Sequence, residues 1–182
     1  MASQRPAMIG IVGWKNSGKT TLLVRLVETF TRRGLKVATV KHAHHDLRPS
    51  DGTTDSDRHT RAGACEVIVA SPDRWMVSGQ LQDAPVPNLE DIAARLGPAD
   101  IILVEGYKSA PIPKIEVRRL ASATQHSLAV DDPHIIAVAA DHAVETQACP
   151  VFNLDDVDAI AALIDQTRLK WIAGPTHHFR PE

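Results

Sequence analysis

The residues of this chain with the clearest chemical signature are GWKNSGKTTLL, residues 13–23, which contain the pattern GxxxxGKT. This pattern is typical of a phosphate-binding loop, or P-loop, in which backbone amide N–H groups and one lysine surround the phosphates of a nucleotide. Gly13 and Gly18 let the backbone curl so that successive amides point at the phosphates. Lys19, a candidate catalytic residue, is predicted to reach the outer phosphate oxygens, and the Thr20 hydroxyl to bind Mg²⁺.

A P-loop needs an acidic residue near its metal, and residues 100–106, DIILVEG, supply one. Four apolar residues precede Glu105, which places it at the carboxyl end of a predicted core strand, where ligands bind in open α/β sheets. We therefore predict that Glu105 binds Mg²⁺ together with Thr20. The alternative is a surface glutamate at the end of a strand.

The polar segment 41–59 follows the second predicted strand and is rich in histidine and aspartate. Its histidines suggest a transition-metal site, but their spacing fits no closed zinc pattern and the segment contains no thiolate. We interpret it instead as a switch-type loop that folds over the phosphates. Asp46 and Asp55 are its candidate catalytic residues, since a carboxylate there could approach Mg²⁺ or the attacking water.

Asp141 follows another predicted core strand, within HIIAVAADH, residues 134–142. A carboxylate can accept hydrogen bonds from the N1 and N2 donors of guanine, whereas adenine offers no such pair of donors. Asp141 therefore predicts guanine over adenine. The chain has no full NKxD pattern, and an aspartate in a turn or at a helix cap is the alternative.

The elements that must position these residues follow from the apolar patterning. Six short β-branched runs are continuous rather than alternating, which is typical of buried strands in a parallel sheet; they cover residues 8–13, 36–42, 66–71, 100–106, 134–141 and 150–154. Helices are predicted over 19–33, over 88–96 and after Asp155 or Asp156, which would cap the last one. This alternation predicts the α/β class, as a three-layer P-loop NTPase fold with a mostly parallel sheet.

Two further segments break the alternation. Residues 74–79, RWMVSG, could pair with the preceding strand as a β-hairpin, and residues 114–119, KIEVRR, alternate as a half-exposed strand does. Either segment could add an edge strand to the sheet or form the edge of a dimer.

The composition limits the remaining possibilities. A chain of 182 residues with a formal net charge of -2 fits one globular domain, predicted over 1–170 with a tail over 171–182, and does not suggest a nucleic-acid partner. Cys65 and Cys149 lack metal-ligand spacing and are interpreted as structural thiols. The N-terminal residues do not resemble a secretory signal, and no apolar run is long enough to cross a bilayer, so we expect a cytoplasmic protein without membrane contact.

Taken together, these segments resemble the MobB family, the GTP-binding adaptors of molybdopterin-guanine dinucleotide biosynthesis. The resemblance covers residues 8–165. It is carried by GWKNSGKTTLL, TVKHAHHD, the DS and RH of TTDSDRHTRAGA, ILVEGYK and PKIEVRR, in the order and spacing of that family. EGYK followed by PKIEVRR is more specific than the P-loop alone.

The resemblance implies a homodimer that binds GTP with Mg²⁺, hydrolyses it slowly, and assists a MobA-like guanylyltransferase that joins GMP to molybdopterin. It also implies that seven residues bind the phosphates of the nucleotide: Gly13, Asn16, Ser17, Gly18, Lys19, Thr20 and Thr21. It implies magnesium ligands at Thr20 and Glu105, and a base contact at Asp141. It also implies that Lys108, Lys114 and Arg118 lie near a face that meets an anionic partner or the pterin phosphate.

Two other functions stay open from the residues alone. A small-molecule P-loop kinase would need a mobile lid rich in arginine, and the chain has no compact insertion of that kind. A nickel-type metallochaperone GTPase would agree with the histidines, but the chain lacks a terminal histidine-rich tract. No arginine is clearly placed to act on the phosphates from within the chain, which favours slow hydrolysis.

Overall fold

The computed structural model describes residues 6–43, 54–81, 84–146 and 149–173. They divide into two compact units, one formed by Met1–His42 with Leu89–Glu182 and the other by Ala43–Asn88. The strands are β1 (Ala7–Val12), β2 (Val37–Lys41), β3 (Glu66–Ala70), β4 (Trp75–Gly79), β5 (Ile101–Glu105), β6 (Lys114–Arg118), β7 (Ile135–Ala140) and β8 (Val151–Asn153). The helices are α1 (Lys19–Arg32), α2 (Asp55–Arg61), α3 (Leu89–Ala94) and α4 (Val157–Ala173).

The larger unit is a six-stranded sheet in the order β2-β5-β1-β6-β7-β8, with every pair parallel. Side chains of β5 alternate between its two faces. Ile101 and Leu103 pack with α1 and α4, while Ile102 and Val104 pack with Leu89 of α3. The predicted three-layer α/β fold with a mostly parallel sheet is confirmed.

The start of α4 agrees with one of its two predicted caps. The Asp156 carboxylate accepts a hydrogen bond from the Ala159 amide at 3.1 Å, which makes Asp156 the capping residue of α4. This helix continues to Ala173, into the predicted tail, and the rest of that tail lies outside the described residues. The single domain over 1–170 stays a prediction. No helix in the described ranges is long and apolar enough to cross a membrane.

The smaller unit contains the predicted hairpin, in which β3 and β4 pair antiparallel. The prediction of a buried parallel strand over 66–71 is wrong, because β3 belongs to this two-stranded sheet and only Val67 of the strand is buried. Ser71 closes the turn, since its hydroxyl donates to Asp73 at 2.6 Å. A β-branched run indicates a strand, but it does not tell which sheet the strand joins.

The strand β6 also differs from its prediction as a half-exposed strand. It lies between β1 and β7, and four of its five residues are buried, including Lys114 and Glu116. The polar side chains that produce the alternation are therefore inside the fold.

Both buried charges on β6 are hydrogen-bonded, which is the condition for burying them. Lys114 Nζ lies 2.8 Å from the Lys108 carbonyl, 2.6 Å from the Ala110 carbonyl and 2.6 Å from Asp132 Oδ2. Gly10 of β1 makes room for this side chain, since a Cβ on Gly10 would lie 2.5 Å from Lys114 Cγ. The Glu116 carboxylate accepts from three donors, namely Ser127 Oγ, the Leu128 amide and the Ala129 amide.

Candidate functional site

The P-loop lies at the carboxyl end of β1 and leads directly into α1. Gly18 is the N-cap residue of this helix and has φ +92°, while Gly13 and Asn16 also have positive φ. A Cβ on Gly13 would lie 2.6 Å from Ser17 Oγ, so the loop has space only for glycine at that position. The predicted strand, loop and helix around the GxxxxGKT pattern are confirmed.

Lys19 is the first residue of α1, and its side chain folds back over the loop. Its Nζ donates to the Trp14 carbonyl at 2.7 Å. Burial lowers the pKa of Lys19 below its ordinary value, and the neighbouring cations Lys108 and Lys41 act in the same direction, while Glu105 opposes them. The cation is thus held inside the loop.

Thr20 and Glu105 come together as the sequence predicts. Glu105 ends β5, its carboxylate is nearly buried, and its Oε1 accepts a hydrogen bond from Thr20 Oγ1 at 2.9 Å. Lys41 Nζ lies 3.3 Å from the same oxygen. Sequence reasoning missed Lys41, although a signal exists: it ends β2, the strand next to β5, and pairs in register with Glu105.

Asp141 follows β7 directly and is tied to the segment after β6. Its Oδ1 lies 2.8 Å from His142 Nδ1 and accepts from the Leu120 amide at 2.8 Å. Both bonds lower the pKa of Asp141 below its usual range, and the bond with His142 has the larger effect. Its predicted position at the end of a core strand is confirmed, and its role at the base stays a prediction.

A segment of which the sequence singled out only the first and last residues packs against the P-loop. We call residues 119–134, between β6 and β7, the brace segment. Trp14 Nε1 donates to the His126 carbonyl at 2.7 Å, and Ser122 Oγ donates to the Lys15 carbonyl at 3.1 Å. Because Glu116 holds the backbone of this segment from inside the sheet, the buried carboxylate indirectly supports the loop.

Several cations surround the P-loop. Lys108 Nζ lies 3.6 Å from the centroid of the Trp14 ring, a cation–π contact, and burial lowers the pKa of Lys108.

Lys114, which the resemblance places near an anionic partner, is buried, so that expectation is wrong. Arg118 donates to the Gln125 carbonyl at 2.8 Å. The concentration of positive charge around Lys19 favours an anionic ligand.

The switch-type loop is only partly described. Asp46 lies outside the described residues. Asp55 is exposed in the first turn of α2 and lies 3.5 Å from Arg58. The prediction of an irregular loop as far as 59 is wrong, because Thr54 and Asp57 form a capping box that starts a short helix. The catalytic roles of Lys19, Asp46 and Asp55 stay predictions.

The residues of the loop fit a magnesium-bound nucleotide. Ser17 Oγ is buried and has no hydrogen-bond partner among the described residues, as expected for a cradle whose polar partners belong to a ligand. Thr20 and Glu105 offer hydroxyl and carboxylate oxygens, the donor types that Mg²⁺ prefers.

Comparisons with known proteins agree with this geometry. The family model described as MobB, molybdopterin guanine dinucleotide synthesis protein B, matches residues 8–141. The molybdopterin-guanine dinucleotide biosynthesis adapter protein of Escherichia coli is 33% identical over 159 residues, which are 86% of this chain and 90% of that protein. The protein of the same description from Haemophilus influenzae is 33% identical over 182 residues, or 98% of this chain and 94% of that one.

Solved structures of MobB proteins have a fold similar to that of this chain. The crystal structure of Bacillus subtilis MobB is similar with a TM-score of 0.69 at 27% identity, covering 88% of this chain and 97% of that one. That of a MobB homologue from Bacillus stearothermophilus has a TM-score of 0.63 at 27% identity, covering 90% and 98%.

Proposed function

The chain belongs to the MobB family of molybdopterin guanine dinucleotide synthesis proteins, and on that premise we propose that it is a GTP-binding adaptor with weak intrinsic GTPase activity. It assists attachment of GMP to molybdopterin by a MobA-like guanylyltransferase. The observation that carries the proposal is the bond between Thr20 of the P-loop and Glu105 of the neighbouring strand. This bond joins the phosphate cradle to a carboxylate where a magnesium nucleotide needs one.

The phosphate contacts follow from the loop. The amides at the start of α1 are not all used within the helix, and they carry the positive end of its dipole. Lys19 Nζ is 2.7 Å from a loop carbonyl, and phosphate oxygens replace this weaker acceptor when GTP binds. The backbone amides from Gly13 to Thr21, together with the Lys19 side chain, thus hold the phosphates.

The metal contacts rest on two side chains. Thr20 and Glu105 would hold Mg²⁺, which neutralises charge on the β- and γ-phosphates when it is bound. Lys41, 3.3 Å from Glu105, keeps this carboxylate oriented. The donor set and its position next to Lys19 support this assignment.

The base contact rests on Asp141, which reads the guanine N1 and N2 donors. A carboxylate has about four lone-pair sites. The bonds of Asp141 with Leu120 and His142 both involve Oδ1, so the group keeps capacity for a base. The Leu120 bond also fixes its position relative to the end of β6.

A homodimer is part of the proposal, and the hairpin of the smaller unit supports it. The hairpin exposes a group of large apolar side chains: Ile68, Val69, Trp75, Met76 and Val77. Exposed apolar patches mark contact surfaces. A second copy of the chain would cover them.

The adaptor role is tested with the purified chain and the purified guanylyltransferase of the same organism. With GTP and Mg²⁺ present, immobilised chain is expected to retain the guanylyltransferase in a saturable way. An unrelated P-loop GTPase of similar size is the control. If the guanylyltransferase binds the chain no better than this control, with and without nucleotide, the adaptor role is wrong.

A further inference from the structure

One arginine next to the P-loop has no role in the site described so far. Arg119 follows β6 immediately, and its side chain is partly exposed. Its guanidinium packs against Gly18, since Arg119 Nε, Cζ and Nη2 lie 2.8, 3.1 and 3.3 Å from the position that a Cβ on Gly18 would occupy. Among the described residues, no hydrogen bond or ion pair involves this guanidinium.

The distances also orient the group. Three atoms of the planar guanidinium lie at distances from this point that differ by only 0.5 Å, between 2.8 and 3.3 Å, with the central carbon between the two nitrogens. This geometry places the flat face of the guanidinium over Gly18 rather than its edge. The opposite face and the N–H edge are left for other contacts.

The order of the strands determines which part of a nucleotide Arg119 would meet. Along the carboxyl edge of the sheet, β5 with Glu105 lies on one side of β1, whereas β6 and β7 lie on the other. Asp141, after β7, accepts from the amide of Leu120, the residue next to Arg119. Arg119 therefore follows the strand on the side of the proposed base contact, whereas Glu105 ends the strand on the opposite side of β1.

We propose that Arg119 binds the nucleoside end of the nucleotide by stacking its guanidinium on the purine ring. The proposal rests on the proposed function and adds a base-binding residue to it. A guanidinium is planar and weakly hydrated, and it stacks on aromatic rings better than an ammonium group does. Arg119 and Asp141 then divide the recognition: the arginine contacts the face of the base, and the aspartate reads its edge.

The test compares the Kd values of GTP and GDP, measured by isothermal titration calorimetry with Mg²⁺ for the wild type, Arg119→Met and Arg119→Lys. Arg119→Met keeps the apolar stem on Gly18 and is expected to raise both Kd values by about tenfold, the loss of one partly desolvated cation–π contact. Arg119→Lys is expected to restore less than half of this loss, because its charge is not planar. The control is Arg32→Ala, at the other end of α1, which is expected to leave both Kd values within about twofold.

Unchanged affinity in Arg119→Met would overturn the proposal. So would full restoration of affinity by Arg119→Lys, because it would indicate a charge contact with phosphate. A loss of affinity confined to GTP would also overturn it, because it would indicate a contact with the γ-phosphate. Thermal melting of each variant without nucleotide separates a loss of folding from a loss of contact. If the wild type binds no GTP, the proposed function itself fails. If the wild type binds GTP and Arg119→Met binds it equally well, only this inference fails.

Discussion

Replacing Lys19 by alanine is expected to raise the Kd of GTP by about a hundredfold or more. Lys19 Nζ would make hydrogen bonds with charged oxygens of two phosphates, and each such bond contributes about 1.5–3 kcal/mol. Since about 1.4 kcal/mol is a factor of ten in Kd, losing both gives at least this effect. Titration calorimetry with Mg²⁺ measures it, and GDP should lose less because it lacks the γ-phosphate.

Lys15→Ala is the matched control for this prediction. Lys15 lies in the same loop and carries the same charge, but its side chain is exposed and makes no hydrogen bond or ion pair among the described residues. The Kd of GTP for the Lys15→Ala variant is expected to stay within about twofold of the wild-type value. Equal GTP affinity in Lys19→Ala and the wild type would refute the phosphate assignment.

Replacing Lys114 by alanine is expected to lower the free energy of unfolding by about 3 kcal/mol, within the range for removing one partner of a buried ion pair. The change leaves two backbone carbonyls and Asp132 without their cation, in the middle of the sheet. Urea unfolding followed by circular dichroism measures the loss. Lys36→Ala, at an exposed lysine, should change stability by less than about 0.5 kcal/mol.

The pH dependence of stability shows whether Lys114 stabilises the fold through its charge or only through the volume of its side chain. Burial alone would raise the pKa of Asp132, but the bond from Lys114 and the His134 amide lower it below its usual value. A lowered carboxyl pKa stabilises the fold above the ordinary aspartate pKa, and this contribution is lost as pH falls through the folded-state pKa. The difference in stability between the wild type and Lys114→Ala should therefore shrink in acid. A difference that is constant down to acid unfolding would show that Lys114 acts only through its volume.

The parts of the fold that the sequence predicts are those with a local signal. The P-loop needs only neighbouring residues, and α1 follows from apolar spacing within one helix. The contact of Thr20 with Glu105 was predictable because the carboxyl ends of parallel strands meet at one edge. The capping box of α2 was also readable, since Thr54 and Asp57 have its spacing, but the surrounding polar residues favoured a loop.

Contacts between residues distant in the sequence were not predictable. KIEVRR alternates like an exposed strand, and only the partners supplied by the brace segment explain why Glu116 is buried. The packing of Arg119 on Gly18, like the bond from Trp14 to His126, depends on how β6 lies beside β1. A single sequence contains no signal for this order of strands.

GTP binding by this chain is tested most directly by comparing GTP with ATP on the wild type, by titration calorimetry with and without Mg²⁺. GTP is expected to bind at least about tenfold more tightly than ATP, the effect of roughly one hydrogen-bonded pair of donors lost with adenine. Removing Mg²⁺ is expected to weaken GTP binding. Equal affinity for ATP and GTP with Mg²⁺ present would contradict both the base contact at Asp141 and the GTP-binding adaptor.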